Sequence, residues 1–404
     1  MDNNKKYYYI YVRDKVYINV EVSFLPLFFY LYFKTKPMGL FEKRFTWKIS
    51  RLLPLFVVRV IRVFTFTFTF YKKKRIFKNT NSQKVITSTF CGHLLLNLRQ
   101  GENKIFNFKA EQVITDFPVC ISNHEVEKRI NTIIVASTCK IKPNLLDWDV
   151  KKRCLIEEFI NIKSQSYSTN NIDVFYKDAL PILKDLMFTK KPDVLNYNLY
   201  LNSKLNLLDT ILEKRIINNE KYIEELKIIK RFYYEIRMKL KEINKKDIVV
   251  VFSHGDLWEG NILSNKRYTF VIDWNTQGSR TAFFDFYFMM FMLANKNSHF
   301  KVYDNKWILS LDKVLENSFM KLLNEIKNKN NNTLNSDLIE NLNDFDVYRY
   351  LFYIELSILK LECREVNSDK QLKDVVAWVN RFILFEDFNN GSREFFCLKE
   401  NVSK

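Results

Sequence analysis

Residues 249–274 read VVVFSHGDLWEGNILSNKRYTFVIDW, and no other stretch constrains the fold as tightly. The residues "IVVVF" (248–252) are all apolar and mostly β-branched, the composition of a strand buried on both faces. Ser253, His254 and Gly255 turn the chain, and Asp256 stands where it leaves the strand. Asn261 follows five residues later, just before the apolar pair Ile262-Leu263. "SNKR" then turns the chain, and "YTFVID" returns as a strand ending on Asp273. The pattern predicts a hairpin with Asn261 starting one arm and Asp273 finishing the other. Adjacent antiparallel ends lie about 5 Å apart. A carboxylate and a carboxamide oxygen are thus brought together, with a second carboxylate, Asp256, on the preceding loop.

The text on either side of this stretch differs in period. Short β-like runs precede it: "KVITSTF" (84–90), "HLLLNL" (93–98), "KIFNF" (104–108), "QVITDF" (112–117) and "CLIEEFI" (154–160). They predict an antiparallel meander, interrupted by one helix over "NHEVEKRINTII" (123–134) with Asn123 as its N-cap. Beyond about residue 165 the apolar spacing becomes three and four. Helices are predicted over 174–188, 204–244, 281–295 and 345–385, with a polar loop at 328–337. The 281–295 helix is apolar nearly all round and reads as a central helix. The expected fold class is α+β and two-lobed: an extension over 1–77, a β-rich lobe over 78–163 and a mainly helical lobe over 164–404.

Hard cations such as Mg2+ take oxygen ligands, and Asn261 and Asp273 supply them from one hairpin end. Asp256 is left to face a substrate hydroxyl. Phosphoryl transfer from ATP uses such parts, with metal to neutralise phosphate charge and a carboxylate to orient the attacking hydroxyl and take its proton. "HGDLWEGN" followed by "VIDW" resembles the catalytic segment of the aminoglycoside phosphotransferase and choline kinase family, small-molecule relatives of the protein kinases. The resemblance covers roughly 249–290. It implies a two-lobed protein-kinase-like fold with Asp256 as catalytic base and Asn261 and Asp273 as Mg2+ ligands. It further implies that His254 and Asp285 support the loop, and that the connector at Glu158, Phe159 and Ile160 grips the adenine of ATP through its backbone.

The chain departs from that pattern in the first lobe. The strand expected to carry a phosphate-holding Lys is "QVITDF", whose only ionisable residue is Asp116; Lys109 lies in the turn before it. Glu125 and Glu127 are the candidate helix partners of such a Lys. "RQGENK" (99–104) stands in for the glycine-rich phosphate cover. Two function classes follow: a kinase for a non-protein hydroxyl, such as that of a sugar or a lipid-linked envelope glycan, or a kinase-like scaffold without turnover.

The 404-residue chain is formally +18, and residues 1–80 hold 17 Lys/Arg against four Asp/Glu. The remaining charge is too small for a folded nucleic-acid-binding body, so no nucleic-acid partner is expected. Within "RFTWKISRLLPLFVVRVIRVF" (44–64), Arg44, Lys48, Arg51, Arg59 and Arg62 fall on one helical stripe, with a kink expected at Pro54. This segment either attaches to an anionic membrane surface or caps the folded body. "FTFTFTF" (64–70) alternates with period two, and "KNTNSQ" (78–83) reads as a linker. The longest charge-free run in the extension, residues 22–33, is too short to span a bilayer. Six cysteines without metal-ligand spacing and an N-terminus without a signal-peptide pattern predict free thiols in a reducing cytoplasm, with the inner membrane face as a possible location.

Overall fold

The computed structural model describes residues 5–13, 15–41, 52–80, 84–98, 101–218, 222–265, 267–295, 305–329, 336–362 and 368–389. In chain order its elements begin with β1 (Tyr7–Arg13), β2 (Val16–Asn19), α1 (Phe24–Lys34), α2 (Leu55–Thr80) and β3 (Val85–Ser88). Next come β4 (Leu94–Asn97), β5 (Asn103–Asn107), β6 (Gln112–Asp116), α3 (Asn123–Ala136), β7 (Leu145–Asp149) and β8 (Cys154–Glu158). The second half contains α4 (Ile172–Met187), β9 (Asp193–Asn196), α5 (Tyr197–Asn218), α6 (Ile223–Lys241) and β10 (Asp247–Ser253). After these come the hairpin strands β11 (Ile262–Ser264) and β12 (Thr269–Val271), then β13 (Gly278–Thr281) and α7 (Phe284–Asn295). The last described elements are α8 (Asn305–Lys329), α9 (Ser336–Leu342), α10 (Phe345–Glu362) and α11 (Ser368–Asn389).

Two compact units result: residues 1–165 with 260–275, and residues 166–259 with 276–404. The first is β-rich and the second mainly helical, which is the α+β, two-lobed layout expected from the sequence.

In the first unit eight strands pair antiparallel throughout, in the order β3-β1-β2-β4-β5-β6-β8-β7. The meander β4-β5-β6 sits where the period-two runs put it. The sequence reading missed β1, β2 and β7. The hairpin β1-β2 inserts between β3 and β4, so residues 7–19 extend the sheet and belong to the same unit as the strands after them. On one sheet face Ile10, Val12, Val16, Ile18, Leu94, Phe106 and Phe159 share a core with Leu27 and Leu31 of α1 and Val63, Phe66 and Phe70 of α2. A fully buried Phe stabilises by about 2–3 kcal/mol, so two helical layers of such residues strongly favour this packing.

That packing overrides local propensity in α2. "FTFTFTF" lies inside the helix, and its alternation marks no strand. The hydroxyls of Thr65, Thr67 and Thr69 donate to the carbonyls of Ile61, Val63 and Thr65, one turn back. Of the linker expected at 78–83, residues 78–80 lie within α2, and 81–83 lie outside the described residues. Leu55 is the first residue of α2, directly after Pro54, so the proline opens this helix. The basic stripe is also revised. Arg59 is buried and donates through Nε to the Tyr32 carbonyl at 2.9 Å and through Nη2 to the Leu31 carbonyl and Thr35 Oγ1. It satisfies carbonyls that the C-terminus of α1 leaves without intrahelical partners, where a cation also meets the negative end of the helix dipole. Burial also pulls the pKa of Arg62 down. Arg44, Lys48 and Arg51 lie outside the described residues.

Smaller differences are local. The N-cap of α3 is Ser122, whose Oγ accepts from the Glu125 amide, one residue before the expected Asn123. The helix expected over 204–244 is two helices, α5 and α6. Among the described residues no helix is long and apolar enough to cross a membrane. Cys91, Cys120, Cys139 and Cys154 are free thiols.

In the second unit β10 is the middle strand of a three-stranded antiparallel sheet, β13-β10-β9. Its residues from Ile248 to Ser253 are all buried, as the unbroken apolar run requires. Helix α7 lies in an aromatic core: Phe283 and Phe286 meet Phe319, and Phe291 meets Phe352, Trp378 and Phe382. Glu355 of α10 accepts from the amide and hydroxyl of Thr281, tying β13 to α10.

Candidate active site

The loop after β10 is held by the N-terminus of α7. Asp285, buried in the first turn of α7, accepts from the His254 amide at 2.7 Å and the Gly255 amide at 2.9 Å. His254 is fully buried, and its Nδ1 accepts from the Asp256 amide at 3.2 Å, so the neutral ring carries its proton on Nε2. Its carbonyl accepts from Thr276 Oγ1. These four hydrogen bonds fix the backbone that leads into Asp256, whose side chain is half-buried.

Gly255 has a structural reason to be glycine. Its φ is +83°, and a Cβ there would lie 2.3 Å from the Thr276 carbonyl oxygen and 2.8 Å from Arg280 Nη1. Arg280 donates to that same carbonyl at 2.7 Å and stacks over Phe284, so neither neighbour is free to retreat. Glu259, further along the loop, accepts from the Tyr167 amide at 2.6 Å. Trp258 is partly exposed.

Asn261 and Asp273 belong to the other unit, at the open end of the β11-β12 hairpin. Ile262 pairs with Val271, and the Ile272 amide donates to the Asn261 carbonyl at 2.9 Å, so Asn261 and Asp273 flank the same hairpin end. Asn261 is buried. Asp273 has φ +69°, a left-handed backbone that costs an L-residue about 1–2 kcal/mol. Strain of this kind concentrates at functional sites. Trp274, buried beside it, donates from its indole nitrogen to the Val271 carbonyl at 2.7 Å and locks the turn. Asp273 Oδ1 accepts from Asn275 Nδ2 and from Lys104 Nζ, both at 3.0 Å.

The sequence reading did not single out Lys104, the residue that meets Asp273. It sits on β5, directly opposite Thr115 of β6, with its side chain 20% exposed. Two residues earlier Glu102, buried, pairs with Arg129 of α3 at 2.8 Å, and Arg129 also pairs with Glu125 at 2.9 Å. Glu125 is therefore the partner of an arginine on its own helix. The available signal was period two: in a strand over 103–107, residue 104 lies on the face of Phe106, toward the same side as its cross-strand partner.

The predicted adenine connector ends β8. The Glu158 amide donates to the Asn144 carbonyl and the Phe159 amide to the Glu111 carbonyl. The Phe159 ring packs edge-on against Phe106 and Phe108. Of the three residues, Glu158 and Phe159 therefore commit their amides within the unit, and Ile160 follows, buried. Asp116, the ionisable residue of β6, accepts from Ser88 Oγ at 2.7 Å, and burial raises its carboxyl pKa. Among the described residues no group of three or more His, Cys, Asp or Glu is arranged to hold a metal ion. A carboxylate with a carboxamide suits a cation that takes its remaining oxygens from phosphate and water, as Mg2+ does.

Residues 175–317 match the ecdysteroid kinase-like family. The matched span contains the whole loop and hairpin, from β10 to α7, and agrees with the small-molecule kinase motif read in "HGDLWEGN" and "VIDW". No curated protein is similar to the chain at a significant level. Among solved structures, an ethanolamine kinase of Plasmodium vivax is 16% identical, over 70% of this chain and 81% of that one, with a TM-score of 0.42. A choline kinase of Cryptosporidium parvum is 13% identical, over 75% and 89%, with a TM-score of 0.44. A glucosamine kinase in complex with glucosamine, ADP and inorganic phosphate is 10% identical, over 74% and 81%, with a TM-score of 0.43.

Proposed function

We propose that the chain is an ATP- and Mg2+-dependent phosphotransferase that moves the γ-phosphate to a hydroxyl of a small non-protein acceptor. One observation carries this reading: Asp285 and His254 fix the backbone around Asp256 with hydrogen bonds of 2.7, 2.9 and 3.2 Å. An ordinary turn carboxylate needs no such support. A general base does, because proton transfer and in-line attack depend on placement to within about 1 Å. Asp256 accepts the acceptor's proton. Asn261 and Asp273 are the residues that would hold Mg2+, whose charge would offset that of the phosphates. With the amides of Glu158 and Phe159 engaged in the sheet, Ile160 offers the backbone donor for adenine.

The test is acceptor-dependent release of ADP from MgATP. The panel comprises amino alcohols, amino sugars, aminoglycosides, sterol alcohols and lipid-linked glycans. Release that requires one acceptor class and vanishes in Asp256→Asn supports the proposal. Nucleotide binding without release on any acceptor favours the scaffold reading, and no nucleotide binding refutes both.

We also propose that α1 and α2 rest on an anionic membrane surface. Leu25, Phe29 and Phe33 recur every four residues on α1, as do Phe56, Val60, Phe64 and Phe68 on α2, and all seven are exposed. Apolar surface this extensive marks an interaction site. Neither helix contains an acidic residue, and Lys72 and Arg75 are exposed on α2, which suits acidic headgroups. Sedimentation with anionic vesicles should be lost on Phe64→Ser with Phe68→Ser and fall as salt rises. Equal sedimentation with neutral vesicles, or none with either, refutes the attachment.

A further inference from the structure

The strand immediately before α3 carries no lysine, yet a triphosphate with its charge of about −4 needs a cation from the sheet as well as a metal. We infer that Lys104 supplies this cation from β5, one strand away from β6, and that it grips the nucleotide phosphates while keeping hold of Asp273. The inference rests on the phosphotransferase reading above and names a residue of that same site.

Three independent features point to Lys104. First, its register partner on β6 is Thr115, a buried neutral residue. Directly opposed residues of an antiparallel pair project from the same face, about 4.5–5.5 Å apart at Cβ. A long side chain at 104 therefore serves the space that a lysine at 115 would have served. Second, Lys104 Nζ already lies 3.0 Å from Asp273 Oδ1, the carboxylate proposed to hold the metal. An ammonium has three donors, so it can keep this contact and add phosphate oxygens bound to the same ion. Third, an ion pair links α3 to the start of the same strand. Glu102, two residues before Lys104 and on its side of β5, pairs with Arg129 of α3 at 2.8 Å, and Arg129 is anchored in turn by Glu125. The helix thus contributes the cation and the strand the carboxylate. This pair braces the start of β5, where Lys104 stands.

The other lysines of the region fit less well. Lys142 has a fully buried side chain that donates to Glu157 and to the Pro143 carbonyl. Lys109 lies in the β5-β6 turn, beyond the far end of β5 from Lys104 and Asp273.

The test measures MgADP and adenosine binding to the full chain by calorimetry in four proteins: wild type, Lys104→Met, Lys109→Met, and the exchange Lys104→Thr with Thr115→Lys. A charge-assisted hydrogen bond contributes about 1.5–3 kcal/mol, which converts to a roughly 10- to 150-fold change in affinity. Lys104→Met is expected to weaken MgADP by that factor and leave adenosine within about twofold. Lys109→Met should bind like wild type, and the exchange variant should recover most of the lost MgADP affinity. Recovery moves the cation back to β6 and is not a result that mere disruption of β5 can give. Unchanged MgADP binding in Lys104→Met overturns this inference alone, as does an equal loss for adenosine. A wild-type chain that binds no nucleotide overturns the functional reading with it.

Discussion

Gly255→Ala tests the geometry of the loop that carries Asp256. Two costs can be worked from the structure. The φ of +83° places the residue in the left-handed region, which costs a side-chain-bearing residue about 1–2 kcal/mol. The added Cβ meets the Thr276 oxygen at 2.3 Å, inside contact distance, and that oxygen is held by Arg280 Nη2 at 2.7 Å. Forcing a group into such packing costs about 1–3 kcal/mol more. The expected loss is about 2–5 kcal/mol. At about 2–4 °C per kcal/mol for a unit of this size, the melting temperature should fall by about 4–20 °C. Gly278→Ala is the matched control, because a Cβ there meets nothing closer than 3.7 Å and its φ is not left-handed. Differential scanning calorimetry gives the stability, and acceptor-dependent ADP release gives the activity. If the loop relieves the clash by moving, the melting temperature falls less and turnover is lost instead, since Asp256 moves with it. A Gly255→Ala protein that melts and turns over like Gly278→Ala refutes the argument.

Asp256→Asn should reduce turnover by at least about 10²–10⁴-fold with MgATP affinity within a few-fold; a variant that keeps a tenth of the rate removes Asp256 from the role of base. Asp273→Ala should weaken Mg2+-dependent nucleotide binding more than Asn261→Ala, since one removes a charged ligand and the other a neutral one; identical Mg2+ titrations in all three proteins contradict the assignment. Arg59→Met should destabilise the first unit by about 1–3 kcal/mol in urea unfolding, because it strips a donor from the Tyr32 carbonyl and leaves that of Leu31 to Thr35 Oγ1. Burial, then Glu235 and Glu386, push the Asp387 carboxyl up to about 6 from an ordinary 3.8. The fold therefore disfavours the ionised form, and the penalty is absent below about pH 4, grows from there to pH 6 and is complete above. Asp387→Asn should raise stability at pH 8 by about 1 kcal/mol after allowance for solvent screening, and leave it unchanged at pH 4; a gain that is equal at both values removes Asp387 as the cause.

The parts of the fold that were legible in the sequence are those where one period persists and burial agrees with it. β10 reads as a buried strand because Val249, Val250 and Val251 leave no polar face, and every one of them is buried. The β4-β5-β6 meander and α7 were readable for the same reason. Residues 7–19 were not, because "YYYIYVR" has neither alternation nor a turn signal, and only pairing between β3 and β4 identifies it as two strands with the segment that follows. "FTFTFTF" misleads in the opposite direction. Its alternation suits a strand, yet Val63, Phe66 and Phe70 recur at helical spacing and bury against the sheet, and this decides the outcome.

The site divides along the same physical line. The local placement of Asp256, Asn261, Asp273, His254 and Asp285 was legible because short loops and one hairpin fix them relative to their own neighbours in sequence. Asp285 is the longest reach among them, and the amides it accepts from belong to the loop that follows β10. The contact of Lys104 with Asp273 spans 169 residues and depends on strand register, which a one-residue slip would reverse. No local pattern encodes that distance. A sheet presents a face, so a cation at a given point can come from whichever strand brings a residue there.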